Sequence, residues 1–248
     1  MSDESVQPSR LSRLLDILEP LLLIVVPLVL ATSALLRFQQ TALLSAVVAL
    51  VALLPFFLRF EGAGVQPRDI MPIVVMAAIA IALRILLTPL PNFKPVSAIV
   101  IITGLGFGKR SGFMTGALVA VVSNMFLGQG PWTPWQMYLW GLMGYLAGAL
   151  SGTRLLRQRW QVVIFGAVMA LFYGLIMDTY SVFGFLGAQT MEAALAIYAA
   201  GLIFGISHII STALFLWLIY KPWMHKLERI KVKYGIGEQR TKAVVSAD

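Results

Sequence analysis

Long apolar runs separated by short polar turns fill the chain from about residue 15 to residue 220. A helix needs about 20 apolar residues to cross the hydrocarbon core of a bilayer. The pattern predicts eight transmembrane helices, of which the fourth is short for a span. We expect this fourth helix to be tilted, broken or packed inside the others. The predicted spans are 15–36, 42–58, 70–90, 96–107, 112–127, 135–150, 161–177 and 193–220.

The composition supports a membrane protein. Hydrophobic residues make up 59% of the 248 residues and charged residues only 12%, whereas a soluble domain carries about 25% charged residues. These values exclude a soluble globular protein and a disordered chain. The absence of Cys excludes a disulfide scaffold, thiol catalysis and thiolate metal sites. The predicted fold class is therefore an all-α multi-pass membrane protein.

The positions of Lys and Arg predict how the spans are oriented. With eight spans both termini lie on one side, and almost all basic residues then fall on that side, which we predict to be the cytoplasm of a bacterial cell. The exceptions are Arg37 and Lys94 outside and Arg84 within the third span. The net charge of +8 therefore indicates topology and not nucleic-acid binding. Residues 1–14 are predicted to be a cytoplasmic N-terminus and residues 221–248 a basic cytoplasmic tail.

Polar side chains near the spans gather at the predicted outer end of the bundle. Arg84 stands out, because an Arg at the centre of a membrane helix costs about 2.5–3.5 kcal/mol. It should face protein, water or a ligand, unless it reaches outward to the membrane surface. On a helical wheel Ala78 and Ala82 lie on the face opposite Arg84. His208, deep in the eighth span, is expected to be a packing histidine with its hydrogen bonds satisfied.

The segment GQGPWTPWQM, residues 128–137, has two Gly and two Pro that predict a rigid turn. Its Trp residues belong either to an interfacial aromatic belt or to a ligand site. Gln136 and Trp140 start a stripe of every fourth residue that continues through Gly144 and Gly148. The candidate substrate-binding residues are Arg84, Asn92, Lys94, Asn124, Gln129, Trp132, Trp135, Gln136, Trp140, Tyr173 and Asp178.

No constellation of catalytic or metal-binding residues emerges. The glycine-rich stretch from Gly104 to Arg110 fails the spacing of a phosphate loop, and Arg110 takes the place of its Ser or Thr. The chain has only two His and no metalloprotease motif. We therefore predict neither an enzyme nor a bound cofactor or metal.

Residues from about 70 to 220 resemble the substrate-binding S components of energy-coupling factor (ECF) vitamin transporters. The Pro-Asn-x-Lys-Pro turn at 91–95, the pair Ser123-Asn124 and the GQGPWTPWQM segment carry the resemblance. It implies a six-helix core, here 69–220, that captures a vitamin or its precursor from outside. A transmembrane coupling protein and two cytoplasmic ATPases would then drive uptake. The two spans within 15–60 are additional to this core.

The resemblance also implies where the sites lie. The A-x-x-x-A motif that packs against the coupling protein corresponds to Ala78 and Ala82. The ligand pocket corresponds to Asn92–Lys94, Trp135–Trp140, Asp178–Tyr180 and the start of the eighth span. The chain looks most similar to S components assigned to cobalamin or a precursor of it.

Two other readings stay open. A stand-alone secondary transporter usually has internal repeats and acidic residues within the membrane. We find no internal repeat, and spans three to six contain no Asp or Glu apart from Asp69 at their edge. A membrane scaffold or an intramembrane enzyme is the other alternative. The enzyme needs Arg84, Asp178 and His208 to converge, and His208 is predicted to lie deeper than the other two.

Overall fold

The computed structural model describes residues 67–185 and 190–236, together with the isolated positions 21, 24, 25, 28 and 47. The predicted first two spans and the last twelve residues of the predicted tail lie outside the continuous described ranges. Within these ranges the regular structure is helical throughout. The helices are α1 (Pro67–Leu86), α2 (Val96–Phe107), α3 (Lys109–Leu127), α4 (Thr133–Ala149), α5 (Arg159–Tyr180) and α6 (Met191–Tyr234), with short turns of 3-10 helix at Arg154–Leu156 and π-helix at Ser181–Phe185.

The six helices match the last six predicted spans, and two boundaries differ by four residues or more. Helix α1 ends at Leu86 instead of residue 90, because Pro89 and Pro91 disfavour a helical conformation in the residues before them. Helix α6 does not stop near residue 220 but continues to Tyr234. The first part of the predicted tail is thus helical, and Leu227 within it is buried against Gly106 of α2.

Four of the described helices are long and apolar enough to cross a membrane, namely Asp69–Leu86, Lys109–Leu127, Arg159–Phe183 and Met191–Tyr234. Helices α2 and α4 are shorter, with 12 and 17 residues. The outer faces of α5 and α6 expose large apolar side chains such as Leu171, Ile203 and Leu218. A continuous apolar surface of this kind is typical of contact with lipid and not with water.

Helix α2 is the centre of the bundle. It is apolar on every face, and residues Val96 to Gly104 are all buried. A helix without a polar face is stable only when other helices surround it. Of the three explanations proposed for the short fourth span, packing inside the other helices is the one the structure confirms.

Glycines allow α2, α3 and α4 to approach closely. A Cβ atom added to Gly104 of α2 would collide with the carbonyl oxygen of Gly144 on α4, and one added to Gly148 would collide with the backbone of Lys109. Small residues permit such backbone contact between membrane helices. The predicted glycine stripe on α4 therefore packs against α2 and α3.

The substitution Gly104→Ala is expected to destabilise the protein by about 1–3 kcal/mol or more, the range typical of overpacking. The colliding carbonyl oxygen of Gly144 belongs to the backbone and cannot rotate away. Thermal unfolding in detergent measures the effect. Gly205→Ala on α6 is the matched control, since a Cβ there meets nothing within 4 Å. Equal melting temperatures for the two variants would contradict the close packing of α2 against α4.

Candidate functional site

Arg84 points from α1 into the bundle. Its Nη1 donates hydrogen bonds to the Oγ of Ser123 and, at 2.8 Å, to the Oδ1 of Asn124, both on α3. Its guanidinium carbon lies 4.8 Å from the centroid of the Trp140 ring, which is within the range of a cation–π contact. The charge is thus held by polar and aromatic partners inside the protein and does not reach outward along α1.

Asn124 connects Arg84 to the segment 128–137. It is 1% exposed, and its Nδ2 donates to Thr133 Oγ1 at 2.9 Å and to Gln136 Oε1 at 2.8 Å. Thr133 in turn donates to Gln129 Oε1 at 2.8 Å. These buried hydrogen bonds fix the start of α4 against the end of α3, and satisfied networks of this kind make a site rigid.

Two aromatic rings and an imidazole form the next layer. Trp140 stacks on Tyr173 of α5, with ring centroids 5.2 Å apart and planes inclined by 25°. Tyr173 meets His208 of α6 edge-on at 5.0 Å. Trp140 Nε1 donates to Ser97 Oγ at 3.1 Å, and Ser97 shares a 2.7 Å hydrogen bond with His208 Nε2. Helices α2, α4, α5 and α6 therefore all contribute to one aromatic cluster.

A small cavity of about 60 Å³ lies between the cation and the aromatic cluster. Two of its lining side chains, Arg84 and Lys94, are cationic, and no carboxylate among the described residues lines it. The remaining groups are hydrogen-bonding or aromatic, apart from one Val. The lining consists of Arg84, Asn92, Lys94, Val96, Gln136, Trp140, Tyr173 and His208. We call this space the Arg84 cavity.

The loop 87–95 covers the Arg84 cavity and rests on α6. Ser207 Oγ donates to the carbonyl of Pro91 at 2.6 Å, and Ser211 Oγ donates to the carbonyl of Lys94 at 2.8 Å. Asn92 has a φ of 50°, a left-handed conformation that Asn tolerates better than most residues. Burial, and then the nearby Arg84, lower the pKa of Lys94 below its ordinary value of 10.5.

A comparison with known families decides between the possible classes of protein. The model of a family described as "ECF-type riboflavin transporter, S component" matches residues 65–224, about two thirds of the chain. The chain belongs to this family. The resemblance found in the sequence is thereby confirmed at the level of the S component, while its cobalamin subtype is not. No curated protein and no solved structure gives a significant match.

The family consists of substrate-binding subunits of transporters and is not a family of enzymes. The enzyme alternative also lacks its geometry in this S component. Arg84 and His208 line the same cavity. Asp178 does not join them, because its carboxylate lies against Gly201 of α6.

Most of the residues predicted to bind substrate meet in or around the Arg84 cavity of this S component. Asn124 does not line it but is hydrogen-bonded to Arg84 and Gln136, which do. Gln129 is one step further away and accepts a hydrogen bond from Thr133. Trp132 and Trp135 lie elsewhere: Trp132 covers Gly130, and Trp135 packs on Tyr180 with ring centroids 5.5 Å apart. The predicted residues that line the cavity are Arg84, Asn92, Lys94, Gln136, Trp140 and Tyr173.

Val96, Ser97 and His208 also belong to the site, although the sequence pattern did not predict this. His208 is buried and hydrogen-bonded to Ser97, as expected of a packing histidine, but it also lines the cavity. The sequence did contain one indication of this role, because His208 lies next to Ser207 and three residues before Ser211. In the structure both serines donate hydrogen bonds to the loop 87–95.

A larger cavity of about 450 Å³ lies at the opposite end of the S component. Lys226 supplies its one charged side chain, and the other lining residues are almost all apolar, among them Met76, Phe107 and Trp223. Specific recognition of a small molecule requires several placed polar groups. The Arg84 cavity meets this requirement and the larger cavity does not.

Proposed function

We propose that this S component captures a flat, conjugated vitamin at the Arg84 cavity and that riboflavin is its substrate. The observation that carries the proposal is the stack of Arg84, Trp140 and Tyr173. Planar ring systems pack well against aromatic side chains, and Arg84 places a cation beside these rings. The carbonyl oxygens at one edge of an isoalloxazine ring would accept hydrogen bonds from Arg84 and Lys94.

The volume of the cavity sets a further condition on the proposal. Ligand pockets usually measure about 300–1,000 Å³, whereas the Arg84 cavity measures about 60 Å³. A vitamin therefore enters only when a wall moves. We propose that this wall is the loop 87–95, because its residues 88–92 are exposed and it is not part of a helix. Its opening would break the side-chain hydrogen bonds of Ser207, Ser211 and Asn92 that join it to α6.

Cobalamin, expected from the sequence, is much larger than riboflavin and demands a wider opening. It stays a prediction that the same experiments test. The absence of a carboxylate from the described cavity lining gives no support to the alternative of a proton- or sodium-coupled secondary transporter, since such sites usually contain intramembrane acids.

Delivery of the vitamin would require a partner. Ala78 and Ala82 are exposed on α1, on the face turned away from Arg84, in one stripe with Val74 and Leu86. Small side chains let a second helix approach the backbone closely. We propose that this stripe binds the transmembrane coupling protein, which together with two ATPases drives uptake. We also propose that the Arg84 cavity opens toward the outside of the cell and that both termini lie in the cytoplasm.

Native mass spectrometry of the purified chain, expressed in rich medium, tests the substrate. The expected result is an added mass equal to one riboflavin per chain, retained without any ATPase. A cobalamin adduct would overturn the riboflavin assignment and restore the expectation from the sequence. A protein that carries no ligand and binds nothing from a panel of vitamins would overturn the capture function.

Affinity should depend on pH through Lys94. Because burial and Arg84 lower the pKa of Lys94, its ammonium loses a proton at a lower pH than an ordinary lysine. We expect the affinity to be highest while Lys94 is charged and to fall as the pH rises through this lowered pKa. Binding titrations from neutral to alkaline pH measure the effect.

The variant Lys94→Met is the control for this prediction. Any change in the protonation of the vitamin itself affects its binding to both proteins equally. The ratio of the two affinities therefore isolates the contribution of Lys94. A ratio that does not change with pH would show that Lys94 does not contact the ligand as a cation.

A further inference from the structure

A third cavity, of about 430 Å³, lies between the start of α5 and the middle of α6, at the end of the bundle far from the Arg84 cavity. Its lining combines basic and aromatic side chains. The residues are Arg157, Gln158, Arg159, Trp160, Trp217, Tyr220 and Lys221. We call it the basic interface pocket.

The charges of this pocket are not balanced within it. Arg157, Arg159 and Lys221 bring three positive charges, and none of its lining residues is acidic. The guanidinium of Arg159 lies 3.8 Å from the centroid of the Trp217 ring. Its Nε is buried and has no hydrogen-bond acceptor among the described residues. A partly desolvated cation with an unused donor is costly, and an anion beside it would lower that cost.

The pocket lies at the edge of the apolar part of both helices. On α6 no Lys, Arg, Asp or Glu occurs between Glu192 and Lys221, and on α5 none occurs between Arg159 and Asp178. The three cations therefore stand where hydrocarbon gives way to headgroups. Trp160 and Trp217 are 53% and 49% exposed, and exposed Trp residues are typical of this depth.

We infer that the basic interface pocket binds the phosphate headgroup of an anionic phospholipid. Basic pockets between membrane helices at this level are suited to such headgroups. The phosphate would lie between Arg159 and Lys221, with its oxygens accepting hydrogen bonds from the guanidinium. The acyl chains would follow the exposed apolar face of α6, where Leu214 and Leu218 lie within a turn or two of the pocket.

A membrane anchor without specificity is the competing explanation. Anchoring requires only that Lys, Arg and Trp reach the interface. It does not require a cavity that collects three cations or a guanidinium placed 3.8 Å from the centroid of an indole ring. A specific site predicts that the residues lining the pocket matter and that other basic residues at the same end do not.

Native mass spectrometry of the full chain in detergent with defined lipids tests the inference. Phosphatidylglycerol should be retained at least about tenfold more strongly than phosphatidylcholine, which is zwitterionic. Arg159→Gln and Lys221→Gln should each reduce that preference several-fold. Arg154→Gln is the matched control, because Arg154 is exposed at the same end but does not line the pocket. Melting temperatures in detergent identify any variant that has failed to fold.

Three outcomes would overturn the inference. The first is equal retention of the two lipids by the wild-type protein. The second is an equal loss of preference in Arg154→Gln and Arg159→Gln, which would indicate unspecific attraction between charges. The third is displacement of the lipid by millimolar inorganic phosphate, which would assign the pocket to a soluble anion. Retention of the lipid in that phosphate supports a membrane-borne headgroup.

Discussion

Replacing Arg84 with Met is expected to reduce the affinity for the vitamin by about 10- to 100-fold. A hydrogen bond from the charged guanidinium to the vitamin contributes about 1.5–3 kcal/mol, and each 1.4 kcal/mol corresponds to a factor of ten in affinity. Met fills much of the same space, while Asn124 keeps its hydrogen bonds to Thr133 and Gln136. Isothermal titration of the purified variant measures the loss.

Arg84→Lys separates charge from geometry. A lysine supplies the cation but not the planar fork that reaches Ser123 and Asn124 while lying on Trp140. Its affinity should fall between those of the wild-type protein and Arg84→Met. An affinity of Arg84→Met equal to that of the wild-type protein would exclude the Arg84 cavity as the binding site.

The second large effect concerns transport and not binding. Ala78→Leu or Ala82→Leu should abolish vitamin uptake by the complete transporter, because the larger side chain keeps the coupling helix from the backbone of α1. Binding of the vitamin by the isolated S component should not change, since both alanines are exposed on the side away from the Arg84 cavity. Uptake in reconstituted vesicles and binding in detergent are measured on the same preparations.

Ala196 and Ala200 provide the matched control for this prediction. They are also two alanines four residues apart, and both are exposed, but they lie on α6. Leu at either position should leave uptake unchanged. If Ala78→Leu and Ala82→Leu transport as well as these controls, the docking surface lies elsewhere on the protein.

The sequence was sufficient to predict the helices that have a clear apolar pattern. Helix α2 is an example: a 12-residue apolar run without a polar face has to be surrounded by other helices. The end of α6 could not be predicted in this way, because residues 221–234 are rich in charge and resemble a solvated tail. Its packing depends on a few apolar contacts, such as that of Leu227 with Gly106, which no local pattern reveals.

The sequence predicted only part of the candidate site, again because a pattern along one helix does not encode contacts between helices. Arg84 and Asn124 were found because a polar side chain in a membrane helix needs a partner, and the structure pairs them. The position of Trp135 could not be predicted, because an aromatic residue at a helix start is equally compatible with a pocket and with packing on Tyr180. His208 joins the site through the way α6 packs against α2, which periodicity along one helix does not encode.

Fluorescence titration tests most directly whether this S component alone binds riboflavin at the Arg84 cavity. Riboflavin is titrated with the purified chain and with Arg84→Met, without coupling protein or ATPases. We expect saturable quenching of the flavin at one molecule per chain, with a Kd below about 1 μM, and a large loss of affinity in the variant. Absence of saturable quenching by the wild-type protein would contradict the claim.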